Sequence, residues 1–301
     1  MIEELKKKFE HRDRLIRVLS KNGYFRAVAI KNSNLAAMAQ EKHNLDYIPA
    51  YFLAKTLAAT SMMSAFLIGE ERISLEFSGD GAIKHIFAEA LQVGECRGFV
   101  RFAEEPERRR VVTLSGVIGE GILKVTRILY GEVEPIVGIV PIQKGDISSD
   151  VAYYFAQSEQ IGSAVILDTD FDENGKIAQS GGIIVQAMPG ATQKEIQELE
   201  EALAKIESLA DDFRNNMQVE EVLRKYLPFD FDVVKKTQVD FFCRCTKEKF
   251  LEKLLLLNRE EIEDMQKKGQ NELACQFCNS KYILDNKDFD NLIGQIKAKQ
   301  N

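Results

Sequence analysis

Four of the five cysteines in this 301-residue chain stand in two tight pairs near the C-terminal end. Cys243 and Cys245 lie in "FFCRC", Cys275 and Cys278 in "ACQFCNSKYIL", and 29 residues separate the pairs. A structural zinc ion takes four ligands in a tetrahedron and favours thiolates. A CxxC turn presents two thiolates to one ion, and CxC can do the same with less freedom. The spacing therefore points to one four-cysteine zinc site, with one ion per reduced chain. Two unrelated pairs, or a reversible thiol pair without metal, are the alternatives. The N-terminal "MIEELKKKFEHRDRL" is charged and has no apolar signal core, so export is not expected. In a reducing cytoplasm, paired cysteines serve metals or redox chemistry more often than structural disulfides.

The residues between the pairs must bring them together. "TKEKFLEKLLLLN" and "NREEIEDMQKKG" read as two short helices, with Asn258 and Glu261 as a capping box for the second and Gly269 at its end. Phe250, Leu251, Leu254, Leu255 and Ile262 are the apolar set that would pack beneath the metal. Such a module has only about 60 to 70 residues and a thin core, so it depends on its staple. Zinc contributes on the order of 10–16 kcal/mol of apparent binding in small domains, and that is folding energy. An oxidant that converts thiolate to sulfenate and then to disulfide removes that energy. The same arrangement can thus be a static staple or an unfolding trigger, and spacing alone favours the staple.

Upstream, residues 1–190 mix helix and strand signals and read as an α+β core domain. "YIPAYFLAKTLAATSMMSAFLIG", 47–69, is nearly as long as a membrane span, but Lys55, Pro49 and several hydroxyls interrupt it, so a buried core helix is expected. "RISLEFSGDGAI" and "RGFVRF" read as strands, and "RRRVVTLSGVIGEGILKVTRILY" as strands broken at Gly116, Gly119 and Gly121. "DISSDVAYYFAQSEQIG" is helical, with Ser148 or Ser149 as cap and Gly162 after its end. "AVILDTDFDENGKIAQSGGIIVQAMPG" reads as a hairpin around Asn174-Gly175.

The composition shifts at Pro189-Gly190. Residues 191–232 form a helical linker. Thr192 and Glu195 make a capping box, and Ile196, Leu199, Leu203, Ile206 and Phe213 form one apolar stripe on a charged helix. A second short helix runs through Val219, Val222, Leu223 and Tyr226 to Pro228. Such helices need another surface to cover their stripe. The cysteine module is assigned to 233–301.

The cysteine module resembles the C-terminal zinc module of the heat-shock protein 33 family of redox-regulated bacterial chaperones. The resemblance rests on CxC, the gap, CxxC with an aromatic residue (Phe277) inside the pair, and the following Tyr282. It extends to "GDGAIKHIFAEA", "CRGFVRF" and "GGIIVQAMPGAT". Thr246 stands where the family usually has serine, and Asn258 where it often has glycine. The resemblance implies an ATP-independent holdase, not an enzyme, that is inactive when reduced and zinc-bound. It implies that oxidation pairs Cys243 with Cys245 and Cys275 with Cys278, that zinc leaves, and that the module and linker unfold. The implied partners are unfolding client proteins, and the implied active form is a homodimer. No GxxxxGK[ST] loop is present, which agrees with the absence of an ATP cycle.

Other readings compete. A static zinc-ribbon module for nucleic acid or a protein partner needs, for nucleic acid, a basic surface. The chain carries a net charge of −7, so neither nucleic acid nor membrane is expected as a partner. A thiol oxidoreductase using Cys275 and Cys278 would need a βαβ setting that the sequence does not supply. Cys96 reads as a bystander, and His11, His43 and His85 as unconnected with the cysteines. "RRR", 108–110, reads as a solvated loop or edge strand, and Met38, Met62 and Met63 as core filler.

Overall fold

The computed structural model describes residues 12–104 and 113–300. The expectations for the N-terminal segment, for His11 and for "RRR" lie outside these residues. The chain divides into two compact units, one ending at Phe242 and the other spanning Cys243–Asn301.

The first unit is built on two sheets. The five-stranded sheet has the order β10-β1-β2-β9-β8, from Phe231–Gln238, Arg14–Ser20, Phe25–Lys31, Ile177–Ala187 and Ser163–Phe171. The six-stranded sheet has the order β11-β5-β4-β3-β6-β7, from Asp240–Phe241, Glu95–Phe102, Ile83–Leu91, Arg72–Gly79, Gly121–Ile128 and Ile136–Pro141. All pairings are antiparallel except that of β11 with β5. This is the α+β core expected from the mixed patterns.

Helix α1 (Ser33–His43) leads into α2 (Tyr47–Ser64). Every residue of α2 from Phe52 to Ser64 is buried. The reason is placement: α2 packs on β3, β4 and β5 of one sheet and on β2, β8 and β9 of the other. Three of its hydroxyls are satisfied within the helix, Thr56 donating to the Phe52 carbonyl, Thr60 to that of Thr56 and Ser64 to that of Ser61. Its Lys55 lies 3.5 Å from Asp146 and over the Tyr51 ring. No helix among the described residues is long and apolar enough to cross a membrane. Met62 and Met63 are core residues, as expected, but Met38 is 44% exposed and is not core filler.

Several local expectations need correction. Helix α3 (Ile147–Ser158) is capped by Asp146, which accepts from the Ser149 N–H, and not by Ser148 or Ser149. A carboxylate at the N-cap is preferred there because it also meets the positive end of the helix dipole. Gly162 does follow the end of this helix, with Gln160 at φ 55° before it. The apolar stripe of the linker does not lie on one helix. It is divided between α4 (Gln193–Leu203) and α5 (Leu209–Arg214), because Ser208 caps a new helix through the Asp211 N–H. The capping box at Thr192 and Glu195 is present, and α6 (Val219–Tyr226) ends before Pro228.

The boundary at 233 also moves. Residues 231–238 form β10, which pairs with β1 from Arg14↔Gln238 to Ser20↔Phe231. The alternation of half-buried and exposed positions along "FDVVKKTQ" makes this a sheet edge, so the second compact unit begins only at Cys243.

Helices α4–α6 cover one face of the five-stranded sheet. Leu199, Leu203, Leu209, Phe213, Val219, Val222 and Leu223 pack with Ile16, Val18, Phe25, Ala27, Ala29, Ile183 and Val185. Gly181 on β9 makes the closest approach possible: a Cβ there would lie 2.4 Å from the Phe213 ring. Polar ties reinforce the packing. Asp168 accepts from the Ser208 hydroxyl and the Ala210 N–H, both at 2.9 Å. Lys225 bonds the buried Asp212 at 2.6 Å, and Lys236 of β10 reaches Glu220.

The second unit contains α7 (Lys247–Leu254), α8 (Arg259–Lys267), the hairpin β12–β13 (Glu272–Ala274 and Lys281–Ile283) and α9 (Asn286–Gln300). Asn258 and Glu261 form the expected capping box, and Gly269 follows α8 at φ 66°. Asn258 itself stands at φ −79°, so its position asks nothing of a left-handed backbone. Thr246 caps α7, the task a serine hydroxyl would do. The core consists of Ile262, Leu284, Phe289, Leu292 and Ile296, with Leu251, Leu254 and Leu255 partly buried against it. Of the expected apolar set, Phe250 instead lies against Tyr282, with ring centroids 5.4 Å apart.

Candidate metal centre

The CxxC pair sits in the turn of the β12–β13 hairpin, whose last ladder position is Ala274↔Lys281. The Cys275 N–H donates to the Ser280 carbonyl at 2.9 Å, and the Asn279 N–H to the Cys275 carbonyl at 2.7 Å. Asn279 adopts φ 54°, which tightens the turn and directs both thiols to one side. Cys275 and Cys278 are buried, at 3% and 4% exposure. The CxC pair is half-buried. It is held by the start of α7: Thr246 caps that helix, and Lys249 Nζ donates to the Arg244 carbonyl at 2.6 Å.

All four expected ligands come together. Cys243 Sγ is 3.7 Å from Cys275 Sγ, Cys245 Sγ is 3.3 Å from Cys278 Sγ, and all four sulfurs lie within 4.8 Å of one another. Four thiolates at about 2.3 Å from a tetrahedral zinc stand about 3.8 Å apart, so the spacing fits that ion. Both of these contacts, at 3.7 and 3.3 Å, join the CxC to the CxxC.

The electrostatics of the donor set agree. Burial pushes the Cys245 thiol up to about 12, with the neighbouring cysteines adding to the rise and the Tyr282 hydroxyl opposing it. Burial likewise raises Cys275, against the backbone N–H groups of Phe277 and Cys278. At Cys278 burial also acts upward, but the Ser280 hydroxyl and backbone N–H, together with Cys245 and Cys275, bring the thiol down to about 7. One sulfur is thus ready to ionise while its neighbours resist joining it. A divalent cation at the centre removes that conflict, because it favours all four thiolates at once.

Cys96 stays apart from this chemistry. It is 1% exposed on β5, and burial pushes its thiol up to about 12. His43 and His85 are not among the groups that could hold the metal; His85 sits 3.2 Å from Ser78 and 3.6 Å from Glu76. Two polar neighbours of the sulfurs escape a search for ligand spacing. Ser280 Oγ lies 3.2 Å from Cys278 Sγ, and Tyr282 Oη lies 3.2 Å from Cys245 Sγ. Both follow the CxxC within four residues, and Tyr282 also carries part of the family resemblance.

The model of the family described as Hsp33 protein matches residues 13–285. A 33 kDa chaperonin of Deinococcus radiodurans is 33% identical over 279 residues, covering 90% of this chain and 94% of that protein. One from Desulforamulus reducens is 30% identical over 295 residues, 95% of this chain and 99% of that protein. Among solved structures, the crystal structure of a 33 kDa chaperonin (heat shock protein 33 homolog) from Thermotoga maritima matches with a TM-score of 0.85 at 26% identity. It covers 96% of this chain and 100% of that one.

Proposed function

Because the chain belongs to the Hsp33 family of chaperones, we propose that it is a redox-regulated, ATP-independent holdase of the cytoplasm. Its resting state is reduced and holds one zinc ion on Cys243, Cys245, Cys275 and Cys278. The observation that carries the proposal is the meeting of four sulfurs within 4.8 Å in a unit with only five buried apolar core residues. With so small a core, the ion supplies much of the folding energy, and the thiolates that hold it are the groups an oxidant attacks.

Peroxide is the simplest activating oxidant. A thiolate attacks one peroxide oxygen, the O–O bond breaks, hydroxide leaves and a sulfenic acid remains. The neighbouring thiol then attacks that sulfur, the S–O bond breaks and water leaves, so a disulfide forms and the pair has lost two electrons. Zinc is released as its ligands are consumed. The expected disulfides are Cys243–Cys245 and Cys275–Cys278, although sulfur contacts of 3.3 and 3.7 Å in the folded unit run between the motifs. Once the unit opens, closing a loop of a few residues costs less entropy than closing one of more than thirty. Peptide mapping of the oxidised protein distinguishes the two pairings.

Loss of the second unit frees the chain that follows the linker. Helices α4–α6 then leave the sheet and expose both their own stripe and the apolar face beneath it, including Phe25, Ile183 and Phe213. Contiguous apolar surface of that kind binds unfolding chains. The active form is a homodimer. The test is aggregation of a thermally unfolding client, measured with reduced and with peroxide-treated protein. Suppression only after oxidation is expected; equal suppression by both forms overturns the switch.

A further inference from the structure

The four sulfurs are not equivalently supported. Cys278 meets a hydroxyl from its own turn, Ser280, two residues on, at 3.2 Å. Cys245 meets a hydroxyl from the opposite half of the site. Tyr282 Oη, 37 residues away on β13, lies 3.2 Å from Cys245 Sγ and 3.0 Å from the Cys245 carbonyl. A phenol has one proton, so carbonyl and sulfur share a single donor. The position of that donor is fixed by packing: Tyr282 pairs with Leu273 across the hairpin, and its ring lies against Phe250 of α7. The hydroxyl is thus a cross-strap between the CxC segment and the CxxC hairpin.

We propose that Tyr282 is the positioning residue of the metal centre, its hydroxyl tying Cys245 to the CxxC hairpin and drawing electron density from the Cys245 sulfur. This deepens the zinc reading above and rests on it. An O–H bonded to a thiolate stabilises the sulfur lone pairs, orients the ligand and lowers its nucleophilicity. Removing an outer partner of this kind typically costs 10–100-fold in metal affinity. The strap therefore holds the ion more tightly and slows attack by oxidant at Cys245, one of the two half-buried sulfurs. Ser280 cannot do the same: it lies on the turn that already carries Cys278, and its loss disconnects nothing.

Tyr282→Phe tests this directly, because it keeps the ring against Phe250 and removes only the hydroxyl. In the reduced full-length protein, competition against a chromophoric zinc chelator is expected to show affinity about tenfold weaker than wild type. With cobalt(II) in place of zinc, the sulfur-to-metal charge-transfer band is expected to move to longer wavelength, since the Cys245 lone pairs are no longer stabilised. Zinc release by peroxide is expected to be faster, and Ser280→Ala to leave the chelator competition closer to wild type. Amide exchange in α7 and α8 checks that the variant folds. Unchanged affinity and an unchanged cobalt band overturn the inference, leaving the hydroxyl to serve only the carbonyl. Weaker binding without a band shift also overturns it, since the sulfur is then not a partner. If wild-type protein binds neither metal, the zinc reading itself fails. If metal binds as described but oxidation brings no holdase activity, the switch fails while Tyr282 keeps its role.

Discussion

Helices α4–α6 and the cysteine unit are both small, charged pieces of chain, but different groups hold them. Sixteen buried apolar residues make up the core shared by α4–α6 and the five-stranded sheet. The cysteine unit buries five in its own core and gathers four sulfurs. The first attachment is hydrophobic and contains no cysteine. In the proposed function the second rests on thiolates that lose their ligand character when oxidised. On that reading a reagent that acts on cysteine releases an interface that contains no cysteine, because one attachment depends on the other. Separating the two attachments experimentally is therefore the way to test the scheme.

The largest effect is expected for Cys278→Ser. Removing one of four thiolates should forfeit most of the roughly 10–16 kcal/mol of zinc binding. Zinc content should fall to near zero, and amide protection in α7–α9 should collapse while that of β1–β9 persists. Retention of full protection in α7–α9 would show that the apolar core suffices. Phe213→Ala addresses the other attachment. It empties a buried site on α5 against Gly181, at a cost of about 3–5 kcal/mol. The reduced protein should keep its zinc yet bind more of an apolar dye and suppress aggregation without oxidant. Loss of zinc in this variant would contradict the proposed direction of coupling.

The two units should also respond to pH with opposite signs. Zinc binding releases thiol protons, so the cysteine unit strengthens as pH rises. In the first unit, burial raises the Asp13 carboxyl from 3.8 to about 7, against the Leu35 and Asn34 N–H groups that stabilise the anion. The folded state then holds a proton that the unfolded chain has already lost. The contribution of Asp13 is thus fully present below about pH 4 and is lost as pH rises to about 7, by at most about 4 kcal/mol. Denaturant unfolding of the first unit at pH 5 and pH 8 should show this decline, and Asp13→Asn should flatten it. An identical pH slope in the variant would remove Asp13 as its source. The smallest effect is expected at Asp168→Ala, which strips the acceptor from Ser208 and Ala210 at the start of α5. A loss of about 1–2 kcal/mol should appear as faster amide exchange in α5 alone.

What the sequence reveals differs between the two regions in the same way. The candidate ligands are legible because thiolate chemistry demands a particular residue type at a particular spacing, and no other part of the chain mimics it. The capping boxes at Thr192 and Asn258 are legible because each is complete within four residues. The buried helix α2 could be told from a membrane span by Lys55 and its hydroxyls. Long-range pairing is not legible in this way. Nothing near residue 231 announces that β10 joins β1, more than two hundred residues earlier. The break between α4 and α5 is hidden because the apolar stripe runs on across it, and only Ser208 marks the new start. Helix α9 is marked in the sequence too: Asp285 and Asp288 accept from each other's N–H groups, and Phe289, Leu292 and Ile296 follow at helical spacing. Tyr282 could be seen as a family feature, but its hydroxyl's position against Cys245 emerges only from the fold.

The most direct test measures zinc content and suppression of client aggregation on the same sample before and after peroxide. Reduced protein should carry one zinc per chain and fail to suppress aggregation. Oxidised protein should have released the zinc and should suppress it, with both changes reversed by thiol reductant and added zinc. Release of zinc with no gain of suppression would contradict the account and leave the four cysteines as a structural staple.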